Sequence, residues 1–166
     1  MKKNISIKTA AIAVILACII SASVVLAVLY QRQVTNTMRI VGGNFKLILG
    51  TDTATEVTSI TWGDFNPLEA KNSSSIIGNT INIYNMANLN LVFCWNYTGL
   101  DEAKWTLICK RDIGTTLWDI NDWDEFSVAP NSQNGYLVFY LTNKAGGMGD
   151  YQGFTINVYS MKNPTT

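Results

Sequence analysis

Downstream of Met38, short runs in which apolar and polar residues alternate recur along the chain, each ended by glycine, asparagine or proline. Phe45, Leu47 and Leu49 alternate with Asn44, Lys46 and Ile48, and Leu91, Phe93, Trp95 and Tyr97 share one face of Leu89–Tyr97. A period of two sends successive side chains to opposite faces of a strand, so each run has one face to bury and one to leave wet. The expected strands are Met38–Val41, Asn44–Leu49, Glu56–Trp62, Ser75–Tyr84, Leu89–Tyr97, Trp105–Lys110, Glu125–Val128, Gly135–Thr142 and Gly153–Tyr159. Gly99–Ala103 alone reads as helical, for one turn at most. About eight or nine short strands with such turns predict an all-β chain, a jelly-roll-like β-sandwich preceded by an N-terminal hydrophobic helix. Branched and aromatic residues suit that fold, and the five tryptophans are expected in its core or at the core edge.

The hydrophobic helix is expected from Thr9–Tyr30, which has no charged residue and follows Lys2, Lys3 and Lys8. Such a helix rises about 33 Å, close to the thickness of a bilayer core. Basic residues on its N-terminal side place that end in the cytoplasm and the domain outside, at the cell surface or in the extracellular space. Residues 1–30 are therefore a signal peptide or a signal anchor, 31–41 a linker or a donor strand, and 42–166 an extracellular sandwich. The length favours an anchor that stays. Small residues at Ser21-Ala22-Ser23 and Val25-Leu26-Ala27 favour cleavage, and Cys18 offers a lipoprotein reading weakened by the apolar residues after it.

From Gln33 onward the chain has eight basic and twelve acidic residues, a balance of −4 that argues against nucleic acid as a partner. No histidine is present, which removes the commonest general base and the Ser/His and Cys/His nucleophile pairs. No catalytic residue is assigned, and an enzyme is disfavoured. Asp119, Asn121, Asp122 and Asp124 crowd oxygen donors into one short segment, which suggests a calcium site, although the spacing does not match an EF-hand and a solvated acidic loop is the alternative. Cys94 and Cys109 lie in neighbouring expected strands. A disulfide between them would add roughly 3 kcal/mol on chain-entropy grounds; two buried thiols are the alternative. Asn72-Ser73-Ser74 and Asn96-Tyr97-Thr98 are candidate glycosylation sequons at Asn72 and Asn96.

Taken in order, Ile60-Thr61-Trp62-Gly63, then Asn66-Pro67, then Tyr84-Asn85-Met86-Ala87-Asn88 and a final Gly153–Ser160 strand resemble exported β-sandwich proteins of the TasA/camelysin type. These include biofilm-fibre subunits and archaeal bundling-pilus subunits. Leu68 and Ala87 stand where that pattern has glycine. The resemblance implies a structural subunit that self-associates head-to-tail, its mature N-terminal segment donated as a strand to the next copy. Protease activity associated with camelysin-type proteins does not carry over, because the chain has neither histidine nor an HExxH motif. Within residues 28–41, Val34, Met38 and Ile40 share one side at period two, interrupted by Asn36, so the segment suits a donor strand. It equally suits the first strand of its own sheet, above a membrane to which an uncleaved leader would hold it.

Overall fold

The computed structural model of the protein describes residues 32–42, 44–112, 114–123, 127–144 and 152–162. The expected leader, and with it the N-terminal helix, lies outside them. The described residues form an all-β sandwich of two sheets. One sheet has the order β10-β7-β12-β1-β4, built from β1 (Arg32–Val41), β4 (Ser59–Phe65), β7 (Leu91–Thr98), β10 (Ser127–Val128) and β12 (Gln152–Lys162). The facing sheet runs β3-β2-β6-β11-β8-β9, from β2 (Phe45–Leu49), β3 (Asp52–Glu56), β6 (Ile81–Asn85), β8 (Trp105–Arg111), β9 (Thr116–Trp118) and β11 (Ser132–Asn143). A short β5 (Ala70–Asn72) pairs with the far half of β11.

Alternation along the strands decides what fills the space between the sheets. Phe93 and Trp95 of β7 point inward, where Phe93 meets Phe45 edge-on at 5.1 Å and Trp95 meets Phe139 at 5.4 Å. Phe65 and Trp105 make a third edge-to-face pair at 5.1 Å. Each such ring removes about 150–250 Å² from water, worth roughly 4–6 kcal/mol of transfer free energy. Trp62, Trp95, Trp105 and Trp118 are all buried; Trp123 is not, with 47% of its surface exposed.

The sequence reading places no strand at β5 or β9, Glu125 of the expected strand Glu125–Val128 lies outside the described residues, and three expected elements take another form. The expected strand Glu56–Trp62 is two strands in two sheets. At Val57-Thr58 the chain passes between them, Val57 N–H donating to Leu47 in one sheet and Met38 N–H to Thr58 O in the other. The first part of Ser75–Tyr84 is a one-turn helix, α1 (Ser73–Ile77), because Asn72 caps it by accepting from Ser75 N–H at 2.7 Å and Gly78 ends it at φ +79°. Gly99–Ala103 is a turn, fastened by Lys104 and Trp105 N–H donating to Asp101 O.

The Asn66–Glu69 turn closes with Glu69 N–H donating to Asn66 O at 3.2 Å, and its third residue, Leu68, is held at φ +62° with 73% of its surface exposed. A left-handed backbone costs a residue with a Cβ about 1–2 kcal/mol, and here no buried contact compensates. Leu68→Gly is expected to raise stability by about 1 kcal/mol, read as a higher denaturation midpoint at unchanged slope.

Candidate functional site

The N-terminal strand is the element around which a site can be built. β1 is an interior strand. It pairs in parallel with β12 from Val34 opposite Gln152 to Val41 opposite Tyr159, and antiparallel with β4 from Arg32 opposite Phe65 to Thr37 opposite Ser59. Of the residues singled out for a donor strand, Val34 is fully buried, Met38 is nearly so, and Ile40 packs half-buried against the core. In the single chain this segment thus occupies a slot in its own sandwich.

Asn36, which breaks the apolar pattern, is 2% exposed. Its Oδ1 accepts the indole N–H of Trp62 at 2.6 Å, so the polar residue satisfies a donor that no apolar neighbour could. Trp62 reaches it through a bulge. Val34 faces Gly63 and Thr35 faces Thr61, leaving Trp62 as the extra residue on β4 while Gly63 sits at φ +69°. The Trp-Gly pair in the sequence is therefore a geometric device that sends one indole into the seat of β1.

Two further features bound the slot. β4 is the edge of its sheet, and Lys71 Nζ donates to the carbonyls of Trp62 (3.1 Å) and Asp64, occupying acceptors that an added strand would use. At the other end of β1 the chain leaves through Gly42, at φ +109°, where a Cβ would lie 2.8 Å from Ser160 O.

The other sequence candidates are dispersed. Cys94 and Cys109 are buried free thiols, the second of the two sequence readings, and no disulfide joins them. Their strands, β7 and β8, belong to different sheets. Cys109 faces the core with Trp105 and Leu107, whereas Cys94 alternates with the inward-facing Phe93 and Trp95 and so points away from it. Burial raises both thiol pKa values, well above the ordinary value for Cys109; for Cys94 the Asp122 carboxylate adds to the effect. Protonated, buried thiols are poor nucleophiles.

Asp119 and Asp122 line a notch of about 340 Å³ together with Arg111, Thr116, Leu117, Trp118 and Trp123. Asn121 is in the adjoining turn at φ +66°, its N–H donating to Trp95 O. Asp124 lies outside the described residues. Among the described residues no three His, Cys, Asp or Glu side chains are placed to hold a metal ion. Asn72 uses its Oδ1 to cap α1, accepting also from Ser74 Oγ at 2.9 Å. Asn96 lies within β7, its Oδ1 accepting from Asn157 Nδ2 at 2.9 Å and from Tyr159 O–H at 3.3 Å.

The chain matches no protein-family model and no curated protein.

Sequence reasoning missed the buried amides. Asn82 Nδ2 donates to Gly50 O at 2.7 Å while its Oδ1 accepts from Tyr136 N–H at 2.9 Å. Asn85, within the Tyr84–Asn88 motif, is fully buried; its Nδ2 donates to Leu89 O and Val128 O, each at 2.8 Å, and its Oδ1 accepts from Ala87 N–H at 2.8 Å. Both residues lie in β6 among apolar positions, and that placement was the available signal.

Proposed function

We propose that this protein is an exported, non-enzymatic structural subunit of an extracellular fibre or pilus, a jelly-roll-like sandwich whose β1 is exchanged between copies. The observation that carries the reading is the seat of β1. It is an interior strand at the N-terminal end of the sandwich, it contributes core residues, and it joins the rest of the domain at a glycine turn. A strand so placed can leave its slot and be replaced by the same strand of a neighbour, with every contact reproduced. Donation from one copy to the next is heterologous and gives an open filament. Export is supported by the apolar run Thr9–Tyr30 behind three lysines, and an uncleaved leader would hold the subunit to a membrane. The lack of histidine and the buried thiols support a structural role.

The cis pairing of β1 favours one alternative, a membrane-anchored monomeric surface binding module that keeps its strand and takes a partner or a glycan through its loops. A cross-link separates the two. Thr35 and Thr61 are directly opposite across β1 and β4, at a spacing of about 4.5–5.5 Å that a disulfide can span. Subunits carrying only Thr35→Cys are to be co-assembled with subunits carrying only Thr61→Cys, then oxidised. Strand donation predicts covalent heterodimers that survive denaturing gels. If only the double variant closes a bond, and always within one chain, the strand stays at home and the fibre reading fails.

A further inference from the structure

The outer face of the five-stranded sheet, away from the core, carries an arrangement that neither reading uses. Strand register sets hydroxyl residues side by side across four strands: Ser59 lies opposite Thr37, Thr37 opposite Thr155, and Thr155 opposite Thr98. In the next rank Thr61 lies opposite Thr35, and Thr35 opposite Gly153. Gly153 and the adjoining Gly99 bring no side chain, so the surface dips there into a groove of about 530 Å³. That is large enough for several rings of a small polymer.

The lining decides what would bind. It contains no ionisable side chain, so a charged ligand would give up its hydration without gaining a counter-charge. Phe154 and Asn36 also border the groove but are only 5% and 2% exposed, so the groove offers no broad apolar side chain to a lipid or an apolar peptide. Backbone groups of β1 and β12 are already paired within the sheet, so an added strand has nothing to bond. What remains is six hydroxyl side chains, five of them threonines with a methyl group beside the hydroxyl; a hydroxyl donates one hydrogen bond and accepts two, and Thr35 has part of that capacity already engaged. Thr37 and Thr155 already touch through their hydroxyls at 3.1 Å, which uses one proton of the pair and leaves the other proton and further lone pairs for a ligand.

We propose that this groove binds an uncharged oligosaccharide, whose alternating hydroxyl and C–H surface matches that of the threonine ranks. Thr35 and Thr37 belong to β1, so the groove is the same whether that strand comes from its own chain or from a neighbour. The inference does not depend on fibre assembly. With hydrogen bonds to neutral partners as the main attraction, a dissociation constant of about 1 mM is expected.

The test is a titration of the ¹⁵N-labelled full chain, held in a zwitterionic detergent free of sugar, with linear hexasaccharides of glucose, mannose and N-acetylglucosamine. At least one should shift the amide signals of residues 35, 37, 59, 61, 98, 99, 153 and 155 in a saturable way. A combined Thr37→Val and Thr155→Val variant keeps strand propensity and shape but removes two hydroxyls, and should bind about tenfold more weakly with the remaining spectrum unchanged. Thr61→Val, at the rim, serves the same comparison should the pair disturb the fold. The proposal is overturned if none of the three sugars shifts these signals at about ten times the expected constant. It is equally overturned if the shifts centre on Trp118 and Trp123, if a sulfated hexasaccharide binds more tightly than the neutral ones, or if the valine variants bind as well as the parent.

Discussion

A chain beginning after Val41 will show no cooperative unfolding transition on its own, and a synthetic peptide spanning Arg32–Val41 will restore one. Loss of β1 opens the sheet between β12 and β4 and strands the backbone groups of both neighbours. It also removes Val34 and Met38 from the core, at about 2 kcal/mol each, and leaves the Trp62 indole N–H buried without the Asn36 acceptor, at about 1–3 kcal/mol. With the unpaired ladder added, the loss approaches the whole stability of a typical domain, about 5–15 kcal/mol. Tryptophan fluorescence in a urea titration reads the effect directly, since Trp62 and Trp95 are core residues. Rescue should saturate with peptide and should fail for a peptide carrying Asn36→Leu, which restores the shape but not the acceptor. A sharp transition without any peptide would mean that β12 and β4 can close on each other, and the slot would lose its meaning.

Asn85→Ala should destabilise the intact domain by about 3–4 kcal/mol. The side chain makes three short hydrogen bonds in a site with no solvent exposure, and alanine would leave two carbonyls and one amide N–H with nothing to replace it. Each orphaned buried group costs about 1–3 kcal/mol. The bond to Val128 also ties β10 against the end of β6, so protection of β10 and β7 amides from hydrogen exchange should fall before that of β11. The exposed Asn88, in the same motif, is the control. Its alanine variant should change stability by less than about 0.5 kcal/mol. Equal effects at the two positions would show that the loop conformation matters and the buried amide does not.

Much of the sandwich was legible because alternation is a local signal with a single physical cause. Leu89–Tyr97 and Gly153–Tyr159 read correctly since one face of each must be dry. Less was legible where the cause is distant. Ser75–Ile77 has the composition of a strand, yet a cap at Asn72 and a glycine at 78 turn it into a helix. The run Glu56–Trp62 looks continuous because it is an unbroken series of strand-forming residues without glycine or proline, and nothing local marks the change of sheet. Asparagine was read as turn chemistry, which holds at the surface; Asn36, Asn82 and Asn85 instead stand inside, each facing a donor or acceptor more than forty residues away or, for Asn36, across a bulge. Cys94 and Cys109 invited a cross-link from their spacing, but alternation within β7 sends Cys94 to the far face. The slot around β1 was readable only as a pair of alternatives, since apolar periodicity says that a strand needs a partner and not which molecule provides it.

The parallel pairing of β1 with β12 also has a mechanical consequence. Parallel strands place the start of one and the finish of the other at opposite ends of their shared ladder, here Arg32 and Lys162. Tension drawn between those ends slides the strands past each other and loads every hydrogen bond from Val34 to Val41 together, whereas an antiparallel pair pulled from its adjacent ends opens one bond at a time. A sandwich tethered at its first strand and pulled at its last therefore resists in shear, the direction in which a sheet is strongest.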